Sequence, residues 1–257
     1  MVQPLALITG ATKGIGRQFA YLFAKDGYAL ALVARSRDDL DSLADELGAQ
    51  YSVPIITMAR DLTDPATAVS IQVALSTSEY PLSVVVNNAG YGLRGSVMGL
   101  SLDEQIGLIQ TNVMAMFRMT RLLLPVLFER KGEGIINVAS LAAWAPGPNM
   151  AVYHASKAFV LSFSEALCEE LKHTGLKVTC LAPGPTDTEF ALRASMKETR
   201  LGRLGTLSAE FVAETGYRGF KAGQCVVIPG FKNQWLAFWS RFMPRVFLRK
   251  FLFWLQE

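Results

Sequence analysis

Short runs of consecutive apolar residues recur along the 257-residue chain, and longer mixed segments separate them. Continuous apolar runs are typical of parallel strands that are buried on both faces, whereas strands with one solvated face alternate apolar and polar residues. Each run here is continuous, so the pattern predicts a parallel sheet. The seven predicted strands span residues 5–9, 29–34, 54–59, 83–88, 134–140, 177–183 and 224–230.

The segments between the first six strands are long enough to form crossover helices. This alternation predicts an α/β fold, a doubly wound parallel sheet of about seven strands (a Rossmann fold) with helices on both faces. With 51% hydrophobic residues the chain can bury one large core, so we expect a single domain over residues 1–257. The composition changes after Pro229, which marks residues 232–257 as a tail of different character. The predicted helices span residues 14–26, 37–49, 64–78, 102–129 and 150–173.

Charge and cysteine content exclude several classes of protein. The net charge of +3 is too small for a nucleic-acid-binding surface. The three cysteines are far apart and odd in number, and the chain has only two histidines, so we expect neither a metal site nor a disulfide framework. This cysteine usage fits a reducing compartment and predicts a cytoplasmic protein.

The turn after the first strand reads TGATKGIG and leads directly into the first helix. Its glycines, Gly10, Gly14 and Gly16, allow a tight turn and let backbone N–H groups at a helix N-terminus approach a pyrophosphate. The spacing differs from the G-x-G-x-x-G of the general dinucleotide fingerprint, but the physical requirement is the same. The turn therefore predicts a dinucleotide site.

The end of the second strand indicates which dinucleotide binds. An acidic residue usually stands there to bind the ribose 2′-hydroxyl, but this chain has Ala34 followed by Arg35 and Arg37. A guanidinium can pair with a 2′-phosphate, and Lys13 in the glycine-rich turn adds a cation. These residues predict NADP(H) rather than NAD(H) as the cofactor.

Several further motifs follow in order along the chain. They are Thr9-Gly10-Ala11-Thr12-Lys13-Gly14-Ile15-Gly16, Asp61-Leu62, Asn87-Asn88-Ala89-Gly90, Asn112, Ser140, Tyr153 with Lys157, and Pro183-Gly184. Over residues 5 to 190 the chain resembles the short-chain dehydrogenase/reductase family, in its NADP-preferring branch. The resemblance implies that the cofactor is bound by Gly10, Thr12, Lys13, Gly14, Ile15, Gly16, Arg35, Asp61, Leu62, Asn88, Ala89, Gly90, Tyr153, Lys157, Pro183, Gly184, Thr186 and Thr188.

The Tyr-x-x-x-Lys pattern occurs three times, at residues 21–25, 153–157 and 217–221. Only the second pair follows a serine, Ser140, that ends a strand on the same sheet edge as the predicted cofactor site. We therefore assign chemistry to Tyr153 and Lys157 and expect the other two tyrosines to be packing residues.

The resemblance also implies a mechanism. Tyr153 protonates a carbonyl oxygen while the cofactor delivers a hydride, Ser140 hydrogen-bonds that oxygen, and Lys157 lowers the pKa of the phenol by its charge. Asn112 supports a water relay to the lysine. His154 is a competing base, but consecutive helix positions point about 100° apart, so we expect it to face away and to be structural.

The expected function is NADPH-dependent reduction of a carbonyl to an alcohol. The loop 141–152, LAAWAPGPNMAV, is uncharged and favours a lipophilic ketone, a 3-oxoacyl compound or a steroid-like substrate, whereas the basic segment 193–203 could meet an acidic group. Two alternatives remain open: an NADP⁺-dependent alcohol dehydrogenase working in the oxidative direction, and a cofactor-binding sensor or scaffold without turnover.

The tail is rich in aromatic residues and arginines, with Arg241, Arg245 and Arg249 at four-residue intervals. Its uncharged runs are too short to span a bilayer. Packing against a partner subunit or closing the substrate cleft is the favoured interpretation, and peripheral membrane contact is the alternative. The family resemblance implies a homodimer or homotetramer formed through the helices at 102–129 and 150–173.

Overall fold

The computed structural model describes residues 2–187 and 205–256, with side chains through residue 250. Seven parallel strands form one sheet, which confirms the predicted doubly wound α/β fold. The last strand is shorter than predicted because it lies at the sheet edge and Pro229 has no N–H to continue the ladder. The seven strands are β1 (Leu5–Thr9), β2 (Ala29–Ala34), β3 (Ile55–Ala59), β4 (Leu82–Asn87), β5 (Gly134–Val138), β6 (Lys177–Leu181) and β9 (Val226–Val227). Their order across the sheet is β3-β2-β1-β4-β5-β6-β9.

Helices connect the strands and cover both faces of the sheet, at nearly the predicted positions. Two short strands, β7 (Thr186–Asp187) and β8 (Leu207–Ser208), pair separately beside the main sheet. The helices are α1 (Gly14–Lys25), α2 (Arg37–Tyr51), α3 (Pro65–Ser76), α4 (Leu102–Ile109), α5 (Met116–Glu129), α6 (Ala151–Glu170), α7 (Ala209–Lys221), α8 (Phe231–Ser240) and α9 (Arg245–Gln256).

The segment predicted as one helix over 102–129 contains a π-helical insertion at Gln110–Ala115, between α4 and α5. Within it, the Asn112 side chain accepts from the N–H of Tyr91 and donates to the carbonyl of Tyr91, at 3.0 and 2.9 Å. These long-range bonds hold the insertion in place. Such insertions often occur at functional sites, because they re-aim a side chain without ending the helix.

The core consists of two apolar layers, one on each face of the sheet. On one face α1 and α7 pack through Phe19, Phe23 and Phe220, all fully buried. On the other face α3, α5 and α6 pack through residues such as Leu123 and Leu167. With both faces covered, the loops at the carboxyl ends of the strands are the natural place for a ligand site.

Candidate active site

The glycine-rich turn between β1 and α1 is conformationally and sterically restricted to glycine. Gly10 and Gly14 have positive φ values of 64° and 53°, a region that residues with a side chain rarely adopt. A Cβ on Gly16 would overlap the carbonyl oxygen of Gly10 and the side chain of Asn88. The turn is thus held in a compact form that leaves its backbone available at the sheet edge.

Asn88 and Thr9 fasten this turn to β4. The Asn88 Nδ2 donates to the carbonyls of Thr9 and Gly10, at 3.0 and 3.1 Å. In return Thr9 Oγ1 accepts from the N–H groups of Asn88 and Ala89, at 3.0 and 3.1 Å. Asn88, predicted as a cofactor ligand, therefore uses its side chain to shape the turn. Thr9 was missing from the predicted site residues, although it opens the quoted glycine-rich motif.

The N-terminus of α1 has the character of an anion site. Its N-cap residue, Lys13, makes no side-chain cap, and its first turn has no acidic residue. The first N–H groups of a helix carry a partial positive charge, so this end suits a pyrophosphate. Thr12 is half-buried in the turn, and Ile15 packs against the core under α1. These residues fit the dinucleotide that the sequence predicts.

Arg35 lies at the end of β2, beside the residues that follow β3 and β4. The Asp61 carboxylate accepts from Thr63 N and Oγ1, at 2.9 and 2.8 Å. The backbone hydrogen bond from Thr63, with a further contribution from the charge of Arg35, lowers the pKa of Asp61. Burial raises the pKa of Tyr91, and the charge of Arg35 opposes this shift. The exposed guanidinium thus stands in the region where an adenosine ribose would lie in this fold.

A small cavity of about 10 Å³ lies just below this edge of the sheet. Leu62 and Ala89, both predicted cofactor residues, contribute to its wall together with Thr9 and Asn87. The structure therefore brings Asp61-Leu62 and Asn88-Ala89 to the same edge as the glycine-rich turn.

Asn112 and Lys157 meet on either side of Gly90. A Cβ built on Gly90 would lie 2.9 Å from Asn112 Oδ1 and 3.4 Å from Lys157 Nζ. Any larger residue at position 90 would press on both side chains. The glycine at the end of NNAG thus has a role that spacing along the chain did not indicate, since it makes room for two polar groups on α6 and on the π-helical insertion.

Tyr153 is buried beside Ser140, near the amino end of α6. Burial raises the pKa of Tyr153 to about 12, and the hydrogen bond with the Ser140 side chain opposes this shift. We expected Lys157 to lower the pKa of the phenol, and in the structure the shift has the opposite direction. Desolvation of the phenolate is the largest effect because Tyr153 is only 7% exposed.

Lys157 is a buried cation. Its side chain is 6% exposed, and Nζ donates to the carbonyl of Val138 at 2.8 Å. Burial lowers the pKa of Lys157 to about 8. The ammonium is therefore retained at neutral pH at some cost in stability, as is common for groups kept for function.

Because burial lowers the pKa of Lys157, the effect of Lys157→Met on the free energy of unfolding should depend on pH. Between pH 8 and 10.5 the unfolded chain holds a proton on this lysine that the folded chain has released, so the wild type gains stability as pH rises through that window. The variant has no such group. We expect its stability relative to the wild type to be highest below pH 8 and to fall by about 3 kcal/mol towards pH 10.5. Urea unfolding of both proteins from pH 7 to 10.5 measures this difference, and a constant difference would contradict the burial of a titrating Lys157.

Ser156 links Asn112 to α6. Asn112 Nδ2 donates to Ser156 Oγ at 3.1 Å, and Ser156 Oγ donates to the carbonyl of Tyr153 at 2.7 Å. The predicted site residues do not include Ser156, although it lies within the Tyr-x-x-x-Lys pattern at residues 153–157. Its hydroxyl orients the asparagine amide towards α6.

His154 is held by the loop that precedes α6. Its Nδ1 lies 2.7 Å from the carbonyl of Ala145, and the ring packs closely on Gly147. Burial lowers the pKa of His154. The ring is thus engaged with the loop, in agreement with the predicted structural role.

The other two Tyr-Lys pairs lie away from this cluster. Tyr217 hydrogen-bonds Asp26 and packs edge-on against Phe23. Lys221 forms an ion pair with Glu133 at 3.0 Å, next to the amino end of β5. This is the edge of the sheet opposite Ser140.

The first pair lies on α1. Tyr21 packs partly against the core, and its hydroxyl donates to Glu46. Lys25 is exposed in the last turn of the helix. Context thus separates the three pairs as predicted.

The loop after β6 completes the site. The carbonyl of Pro183 accepts from the N–H of Leu141 at 2.8 Å and from Ser140 Oγ at 3.5 Å, so this loop supports the serine. Gly184 is adjacent, and Thr186 Oγ1 donates to its carbonyl at 3.0 Å. Thr188, the last predicted cofactor residue, lies outside the described residues.

Comparison with known proteins identifies a matching family model and several similar reductases. The family model described as short chain dehydrogenase matches residues 4–199. The chain is 40% identical over 188 residues to a sulfoacetaldehyde reductase of Chromohalobacter salexigens, covering 72% of this chain and 73% of that protein. It is 35% identical over 190 residues to the very-long-chain 3-oxoacyl-CoA reductase of Bos taurus, covering 72% of this chain and 60% of that protein.

A solved structure agrees with these relatives. The short-chain dehydrogenase from Sphingobium yanoikuyae in complex with NADPH superposes with a TM-score of 0.83 and 30% identity, covering 93% of each chain. The family model alone spans well over half of the chain. The chain therefore belongs to the short-chain dehydrogenase family and is an oxidoreductase of carbonyl or alcohol substrates.

Proposed function

We propose that this protein is an NADPH-dependent carbonyl reductase, with residues 1–257 acting as one oxidoreductase domain. The observation that carries the proposal is the convergence of four polar side chains at the edge of the sheet that also holds the glycine-rich turn. Tyr153 hydrogen-bonds Ser140, and a Cβ built on Gly90 would touch both Asn112 Oδ1 and Lys157 Nζ, at 2.9 and 3.4 Å.

The residues have distinct roles in the proposed reaction. Bound NADPH would supply the hydride to the carbonyl carbon. The Tyr153 hydroxyl donates its proton to the carbonyl oxygen, and Ser140 Oγ hydrogen-bonds that oxygen as negative charge develops on it. Lys157 places a positive charge near the phenolate that forms. Asn112 positions the loop at Tyr91 and the Ser156 hydroxyl by donating hydrogen bonds to both.

Reduction is favoured over alcohol oxidation by the protonation state of the phenol. A tyrosine whose pKa is about 12 is protonated at neutral pH, which is the form that the reductive direction requires. Alcohol oxidation needs the phenolate as a base, which burial disfavours. Initial rates in both directions at pH 7 test this: faster NADPH oxidation with ketones is expected, and faster NADP⁺ reduction with alcohols would favour the dehydrogenase alternative.

NADP(H) preference is proposed on the basis of Arg35 and Lys13. Both are exposed at the edge that carries the turn, and Arg35 lies close enough to Asp61 and Tyr91 to affect the pKa of each. Charge-assisted hydrogen bonds from a guanidinium to a phosphate are strong and geometrically specific.

Replacing Arg35 with Asp should shift the cofactor preference. We expect kcat/KM for NADPH to fall by about 10- to 100-fold, because a charged hydrogen bond contributes roughly 1.5–3 kcal/mol, while NADH is affected little. Lys172→Asp changes net charge equally at an exposed position on the opposite edge and serves as the control. An unchanged NADPH:NADH ratio in Arg35→Asp would refute the 2′-phosphate assignment.

A lipophilic carbonyl compound is the proposed substrate. The loop 141–152 is uncharged, with Met150 buried and Trp144 half-buried beside the site. The bovine relative is named for a long-chain 3-oxoacyl substrate, which has this character. The basic segment 193–203, which could meet an acidic group, lies outside the described residues.

A small anionic aldehyde is the second candidate substrate, since the Chromohalobacter relative is named for sulfoacetaldehyde. An NADPH-consumption screen over ketones and aldehydes of graded chain length, with sulfoacetaldehyde included, separates the two. Higher kcat/KM for longer apolar chains is expected. Turnover of sulfoacetaldehyde alone would replace the lipophilic assignment, and NADPH binding without any turnover would favour a sensor or scaffold.

Self-association is also proposed, as a homodimer or homotetramer through α4, α5 and α6. Exposed apolar side chains on these helices, including Ile109, Phe117 and Phe159, supply an apolar surface for it. Light scattering of the purified protein measures its molar mass and therefore the number of subunits.

A further inference from the structure

Helix α8 carries its aromatic side chains on the outside of the protein. Phe231, Trp235, Phe238 and Phe242 follow one another at spacings of four, three and four residues, which places them on one helical stripe that continues past the end of α8. All four are exposed, Phe231 by 79% and Phe242 by 66%. Surface helices of globular proteins usually bury such a stripe against the core, whereas here the stripe faces the solvent.

The opposite face of α8 is small and polar, and it is the face that packs on the protein. Ala237 is 3% exposed, and Asn233 Nδ2 donates to the carbonyl of Pro229 at 2.8 Å. Asn233 also packs against Gly184, where a Cβ would collide with its amide. These contacts fix which face points outwards, so the aromatic stripe is a property of the docked helix.

Helix α9 extends this surface and adds positive charge. Val246 and Phe247 are exposed. Residues 231–256 contain five cationic side chains and no acidic one. The cationic residues are Lys232, Arg241, Arg245, Arg249 and Lys250, all exposed.

We propose that the outer surface of residues 231–250 binds an anionic lipid bilayer. Aromatic side chains partition into the boundary between headgroups and acyl chains, and flanking lysines and arginines pair with anionic headgroups. The uniform positive charge complements such a membrane, whereas a surface on a second copy of this chain would have to place like charges together or find acidic partners elsewhere. Among residues 2–187 and 205–256 no helix is long and apolar enough to cross a bilayer, so the contact is peripheral.

The surface adjoins the candidate active site without being part of it. Helix α8 packs on the 3₁₀ turn Leu141–Trp144 that follows Ser140. Membrane binding does not depend on the proposed reductase activity, and either can fail without the other.

Vesicle co-sedimentation of the full chain tests this proposal. We expect binding to vesicles of 70:30 phosphatidylcholine and phosphatidylglycerol at low salt, and weak binding to phosphatidylcholine alone. The triple variant Arg241→Gln, Arg245→Gln, Arg249→Gln should partition about 100-fold more weakly, because each cation near an anionic surface contributes about 1 kcal/mol. The control triple variant Arg121→Gln, Lys172→Gln, Arg218→Gln removes the same charge from exposed positions elsewhere and should bind as the wild type does.

A second variant tests the aromatic stripe. Phe231→Ser with Phe242→Ser changes two highly exposed side chains and should weaken vesicle binding while far-UV circular dichroism and the thermal midpoint stay unchanged. Absence of vesicle binding by the wild type would overturn the proposal, as would equal binding by both triple variants. If the wild type binds no vesicles and light scattering shows that the double Phe variant dissociates an oligomer, the stripe is a subunit interface.

Discussion

Tyr153→Phe will lose turnover by about 10²- to 10⁴-fold while binding NADPH nearly as tightly as the wild type, since the variant lacks only the group that protonates the carbonyl oxygen. Phenylalanine keeps the buried ring and its packing against Leu108 and Met150. The loss should appear in kcat, because the proton is transferred in the transition state. Steady-state kinetics and fluorescence titration of NADPH measure the two effects separately.

The chain supplies matched controls for this prediction. Tyr21→Phe and Tyr217→Phe remove the same hydroxyl from the other two Tyr-x-x-x-Lys pairs. Both should retain wild-type turnover, while Tyr217→Phe loses some thermal stability because Asp26 loses a partner. Survival of activity in Tyr153→Phe, or its loss in either control, would remove the assignment of Tyr153 as the acid.

Gly16→Ala will weaken NADPH binding by about 10- to 100-fold, because the turn can no longer present its N–H groups to the pyrophosphate and a hydrogen bond to a charged group contributes roughly 1.5–3 kcal/mol. The new Cβ would overlap the Gly10 carbonyl and the Asn88 amide. Asn88 and Gly10 are hydrogen-bonded to each other, so the turn has to open. The N–H groups at the start of α1 move with it. Overpacking of this kind also costs roughly 1–3 kcal/mol in stability.

Gly48→Ala is the control for this substitution. Gly48 lies within α2, where an added Cβ has no neighbour within 4 Å. Alanine there should raise stability by up to about 1 kcal/mol and leave NADPH binding unchanged, since it is the better helix former. If Gly16→Ala binds NADPH as tightly as the wild type, the turn does not hold the pyrophosphate as proposed.

Local pattern was sufficient for most of the fold. Continuous apolar runs and the helical segments between them predicted all seven strands of the main sheet and the doubly wound architecture. The reason is that the spacing of apolar residues along a strand or helix can be read from consecutive positions in the sequence. The first two strands match residue for residue, at 5–9 and 29–34. The short β9 was overestimated, since an edge strand ends where it loses its partner, and the partner is distant in sequence.

Part of the site also follows from the chain alone. The TGATKGIG turn, the ordered motifs and the serine thirteen residues before Tyr153 indicated the cofactor edge and separated one tyrosine from two others with the same spacing. The capacity of the turn to bind a pyrophosphate depends on glycines next to the start of a helix, and these residues are adjacent in sequence.

Other features depend on contacts between residues that are far apart in sequence. The bonds from Asn112 to Tyr91 and Ser156 accompany a π-helical insertion that helical periodicity cannot reveal. The charge of Lys157 predicts a lowered pKa for Tyr153, but enclosure by the whole fold makes desolvation the largest effect on the pKa of both residues, raising that of Tyr153 and lowering that of Lys157.

The tail shows the same division. Its composition marked it as distinct and left packing, lid and membrane contact open. Sequence by itself determined that residues 231–256 carry an aromatic stripe and five cations without an acid, because spacing along a helix is a local property. Only the tertiary structure decided that the stripe faces outwards, because Asn233 packs against Gly184 and bonds to Pro229, and Ala237 on the same face of the helix is buried.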